Sequence, residues 1–162
     1  MTINETIKDL NEVFEGTPWF GQSLSSYIQE IKGDELNFSI DGGNSIGEIL
    51  NHMIHWRQFV IDKIQNPHGG TETWSIGQTN EADWPKKKYL PSDKDLLVGK
   101  LRETQKILIQ TLEETPDDLL KEKVIGRDYN FEHMLKGIIH HDIYHLGQLY
   151  MLISHTKHYS KA

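Results

Sequence analysis

His141 and His145 lie four residues apart in HHDIYHLGQLYMLISH, a stretch that otherwise reads as a helix. Four residues advance a helix by about 400° and lift it by roughly 6 Å, so both imidazoles leave one face and could grip a single metal ion. Nine histidines in 162 residues give about half of one such pair by chance, so spacing alone decides little. The apolar phase adds more. Phe131, Met134, Ile138, Leu149 and Leu152 form one stripe at helical period. With Ile138 as zero, His145 falls at about -20° and His141 at about -60°, towards the core, while His140 at about 200° and His133 at about -140° face solvent. Two neutral rings in an apolar interior both need partners, and a bound cation satisfies both. A pair of ordinary hydrogen-bonded core histidines is the alternative.

The elements that must position these rings are helical. Ile3, Ile7, Leu10 and Phe14 mark a first helix ending near Gly16-Thr17-Pro18, and Phe20, Leu24, Tyr27 and Ile31 suggest a second, shorter one. Ser45 and Glu48 have the offset of a capping box opening a helix that runs through Ile46, Ile49, Met53, Val60 and Ile64 to near Pro67. Ser92 and Asp95 offer a similar start for a helix carrying Leu97, Leu101, Leu108 and Leu112, limited by Pro116. The last helix begins near Asn130. Apart from Leu36 to Ile40 no stretch alternates as a strand would, so helices must pack on one another as an all-α bundle. The aperiodic stretch from Pro67 to Pro91, with Gly69-Gly70, Trp74 and Asp83-Trp84-Pro85, is long for a compact domain and either covers a functional site or is an anchored excursion.

Composition bounds the chemistry. The length suits one domain spanning residues 1–162, with a core that needs no covalent staples. There is no cysteine, so a transition-metal site must use imidazole, carboxylate, amide or water, and any reactive thiol must come with a substrate. A net charge of -7, with Lys86-Lys87-Lys88 as the basic cluster, disfavours nucleic acid. No secretion signal or bilayer-spanning segment is legible, so a cytoplasmic protein is expected.

Zinc or nickel needs a third protein ligand to be held firmly. The Ser45-capped helix carries two histidines. With Ile49 as zero the stripe centres at about 20°, His52 at about -60° borders the core, and His55 at about -120° lies further out. An ordinary boundary histidine bonded to backbone is the alternative for His52.

NSIGEILNHMIHW followed distantly by HHDIYHLGQL resembles the DinB-like superfamily, also described as DinB/YfiT-like metal-dependent proteins. GTPWFGQSL and Asp83-Trp84-Pro85 look like that family too, so the resemblance covers nearly the whole chain. It implies a four-helix bundle with an additional short helix and a long loop, often dimeric, holding nickel or zinc between helices. One histidine comes from the second bundle helix and two from the HxxxH helix, which carries over to His52, His141 and His145. Gln148, at about -80° beside His141, could hold a ligand or a bound water, or simply pack at the helix boundary. Glu48 and Asp142 are further inward-leaning polar residues that could steady the ligands, although Glu48 already has a capping role.

Three neutral histidines with open positions match a catalytic metal site. The resemblance implies a transferase that activates a bacillithiol-like low-molecular-weight thiol for attack on a small electrophile. A metal-dependent hydrolase using bound water and a non-catalytic metal-binding stress protein stand as alternatives.

Overall fold

The computed structural model describes residues 1–69 and 83–159; Gly70 and Trp74 of the long connection lie outside them. Among the described residues there are five α-helices and no strand: α1 (Ile3–Glu15), α2 (Leu24–Glu30), α3 (Ile46–Gln65), α4 (Asp93–Glu113) and α5 (Phe131–Tyr159). The expected all-α bundle is the fold found, with α1, α3, α4 and α5 as its long members and α2 as the extra short helix. No helix among the described residues is long and apolar enough to cross a membrane.

Local chemistry sets the helix ends. Thr2 and Glu5 form a capping box on α1, and Gly16 closes that helix. On α3 the Ser45 hydroxyl accepts the Glu48 N–H while the Glu48 carboxylate takes the Ser45 N–H at 2.8 Å. The carboxylate of Glu48 also complements the positive end of the helix dipole. Asn130 accepts the His133 N–H at 2.9 Å and so starts α5.

One expectation needs correction. The Ser92–Asp95 capping box does not form, because Ser92 already has helical backbone angles and its hydroxyl makes no capping bond. The Asp93 carboxylate accepts the Leu90 N–H instead, at 2.8 Å. Leu36 to Ile40, where the sequence alternates briefly, follows a single 3-10 turn at Gly33–Glu35 and forms no strand. The carbonyls of Phe38 and Leu36 accept the N–H groups of Ile46 and Gly47, satisfying free donors in the first turn of α3.

α3 is buried along its length and packs on both α4 and α5, while α1 lies against α4 and α5 and α2 against α5. The core forms two apolar clusters. One joins Phe14 and α2 to the first half of α3 and the later part of α5; the other joins α1 to the second half of α3 and the start of α5. On both α3 and α5 the junction is polar. The fully buried Arg57 donates to both Asp142 carboxylate oxygens, at 3.3 and 2.6 Å, and to Gln105 Oε1 at 2.6 Å. Gln105 in turn donates to Asn11 at 2.9 Å. The Arg57 guanidinium also sits 5.1 Å from the Phe14 ring centroid.

The segment leading into α4 crosses α3. A Cβ on Gly47 would come within 2.5 Å of the Tyr89 ring, so the missing side chain lets that ring lie directly on the helix backbone. Asn37 clamps Tyr89 from the other side, donating to its carbonyl at 2.8 Å and accepting its N–H at 2.9 Å. This anchorage fixes the end of the segment that carries Asp83 and Trp84.

Candidate metal centre

α3 supplies His52, and α5 supplies His141 and His145 one turn apart. Their Nε2 atoms converge: His141 Nε2 lies 2.9 Å from that of His52 and 3.1 Å from that of His145. His52 and His145 are buried, at 5 % and 2 % exposure. The three ligand atoms fall within 4.8 Å of one another.

The opposite ring nitrogens decide what the convergent ones can do. His145 Nδ1 meets the Gln148 side-chain oxygen at 2.7 Å, an acceptor, so it carries the proton. His52 Nδ1 faces Asp83, 3.4 Å from its carbonyl and 3.5 Å from its carboxylate. Both rings therefore present bare Nε2 lone pairs to the centre. His141 has one proton at most for two such neighbours, so the cluster cannot satisfy itself with its own hydrogens.

A cation removes the conflict. With metal–nitrogen bonds of about 2.0–2.1 Å, ligands at right angles stand about 3.0 Å apart and tetrahedral ones about 3.4 Å apart. The observed 2.9 and 3.1 Å fit His141 standing at about a right angle to each of the other two ligands about an ion. The donor set and its spacing therefore fit a divalent metal.

Protonation states agree with that use. Burial, then the neighbouring His145 and His52, pushes His141 down to about 2. Burial lowers His145 to about 4, with the Gln148 bond partly opposing it. His52 is lowered by burial against the pull of Asp83. Near neutral pH all three are uncharged, the form in which imidazole coordinates.

The surroundings hold the rings still. Trp84 stacks on His52 with centroids 3.8 Å apart and planes 11° from parallel. Trp56 donates its indole N–H to the Asp83 carboxylate at 3.3 Å. Asp83 thus bridges α3 to the covering segment and steadies His52, as a carboxylate behind a metal-binding histidine commonly does.

Of the other residues named from sequence, Gln148 lies on His145. Glu48 is spent on Ser45 and on Lys86, whose Nζ is 3.4 Å away. Burial opposes its charge, but the Ser45 N–H and Lys86 more than reverse this and hold the carboxyl below its ordinary range. Asp142 points to Arg57 rather than to the histidines; burial pushes its carboxyl up and the guanidinium pulls it back. His55 is half-buried outside the cluster, and His133 and His140 are exposed. Asp83 and Trp84 carry no role legible in the sequence, and nothing there marks Arg57. Asp83 is 31 residues from His52, in a stretch without periodicity, and no local pattern links the two.

A family model described as the DinB superfamily matches residues 19–149. Neither a curated protein nor a solved structure matches the chain. The matched region takes in α2 and all three histidines as well as Asp83 and Gln148, and on that match the chain belongs to the DinB superfamily.

Proposed function

We propose that this protein is a divalent-metal-dependent transferase that activates a low-molecular-weight thiol for attack on small electrophiles. The observation that carries the reading is the one-sided ligand set: among the described residues three histidines converge and no further histidine or carboxylate joins them. Such a half-shell leaves positions for reactants, unlike a structural site closed by four protein ligands. Nickel or zinc suits imidazole donors, and an ion held by three neutral rings keeps its charge and can lower the pKa of a thiol or water brought to it.

The chain's own residues then have separate tasks. His52, His141 and His145 hold the ion. Gln148 and Asp83 fix the tautomers of His145 and His52, and Trp84 shields one face of His52 from water. With no cysteine in the chain, the sulfur nucleophile belongs to the cosubstrate, and thiol transfer is preferred to hydrolysis only on what the sequence resemblance implies. Two chains would pair through the exposed face of α5, where Tyr144, Tyr150 and Met151 are all more than half exposed.

The test is conjugation of monochlorobimane or an epoxide, run with several low-molecular-weight thiols on protein purified without a histidine tag and loaded with zinc or nickel. Turnover that needs the thiol and disappears on chelation and in His145→Ala is expected. Full conjugation by His145→Ala contradicts the reading, and ester cleavage without thiol favours the hydrolase instead.

A further inference from the structure

Beside the histidines lies a cavity of about 240 Å³ between α3 and α5. Trp56 and Val60 form one wall, Met134 and Ile138 the other, with Tyr129 near the start of α5 and His141 at the metal-centre end. His133 and Gly137, both exposed, also line it, so it opens to solvent. Apart from His141, His133 and the Tyr129 hydroxyl, these are hydrocarbon and indole surfaces. An apolar cavity of roughly 150 Å³ suffices for benzene, so this one accommodates a substituted aromatic ring.

The second observation concerns His141. The Nδ1 atoms of His52 and His145 face Asp83 and Gln148, whereas His141 Nδ1 is buried without a hydrogen-bond partner. Leaving such a group unpaired is unfavourable, and metal-binding histidines ordinarily donate that proton to an acceptor. Among the three rings, the one that lacks a protein acceptor is the one that forms part of the cavity.

We infer that this cavity is the subsite for an aromatic or similarly bulky apolar group of the small-molecule substrate. The inference rests on the proposed function for calling the occupant a substrate. The site itself follows from the cavity and from His141 being the one of the three histidines that lines it. It narrows the electrophile to one whose reactive atom, adjacent to an aromatic ring, reaches the histidine centre while the ring fills the space between α3 and α5.

Gly137 provides the test, since a Cβ there meets nothing within 4 Å and a larger side chain can enter the cavity without displacing packed atoms. Binding of 4-fluoroacetophenone to zinc-loaded protein, followed by ¹⁹F NMR, is expected to weaken about tenfold or more in Gly137→Leu. Gly99→Leu, on α4 and equally unobstructed, is expected to bind as the native protein does. Absence of binding to the native protein, or equal binding by Gly137→Leu, overturns the subsite. If native protein binds the probe but conjugates no thiol, the proposed function fails and the subsite stands. If conjugation occurs, Gly137→Leu should raise KM for styrene oxide far more than for propylene oxide.

Discussion

Two buried polar groups of residues sit side by side on α3 and α5, and they resolve burial in opposite ways. Arg57, Asp142, Gln105 and Asn11 form a closed chain in which each donor has an acceptor. His52, His141 and His145 point bare nitrogens at one another from 2.9 and 3.1 Å. The first group is complete as the chain folds; the second would be completed by a cation between its members. A polar cluster that satisfies itself fixes how two helices sit, and one that does not marks where something binds.

The largest expected effect breaks the closed group. Arg57→Leu leaves the Asp142 carboxylate buried without its partner and should cost about 3–5 kcal/mol in urea unfolding, whereas Arg57→Leu combined with Asp142→Leu should recover much of that loss. A double variant as unstable as the sum of the single ones would mean that the two residues are not coupled and that their ion pair contributes nothing to the fold.

Smaller effects are expected around the open group. Gln148→Ala and Asp83→Ala remove the outer partners of His145 and His52 without touching a ligand nitrogen, and each should weaken zinc affinity about 10–100-fold in a competitive chelator titration. Unchanged affinity in both would show that the rings are held by packing alone.

Acidity should separate the groups in the metal-free protein. His141 is held at about 2 and His145 at about 4, below the ordinary imidazole value of about 6.5. Below that value the unfolded chain takes up protons that the folded chain refuses, so stability falls as pH drops from about 6.5 towards 4. Each such histidine contributes a slope of up to about 1.4 kcal/mol per pH unit. Urea unfolding at stepped pH should show a shallower fall in His145→Ala than in the native chain. Equal slopes would place the buried protonation elsewhere.

The helical architecture was legible because its signals are local. The apolar stripe around Ile138 carried the orientation of α5, and phase separated His52, now buried, from His55, now half-buried. The same pattern failed where the backbone before it differed: Ser45 is extended and caps α3, while Ser92 is already helical and caps nothing. Phase also gave depth without giving partners. Asp142 reads as inward, but its bond to Arg57 spans 85 residues and depends on how α3 and α5 rotate against each other. Asp83 and Trp84 reach His52 because Tyr89 is held by Asn37 and Gly47, a tertiary arrangement with no periodic signature.

The central claim is tested most directly by the metal content of protein purified without a histidine tag and reconstituted with zinc or nickel. The native chain and His55→Ala are expected to retain about one ion per chain after desalting, and His52→Ala, His141→Ala and His145→Ala to retain far less. Full occupancy in any of those three, or no stoichiometric metal in the native chain, would contradict a shared three-histidine centre.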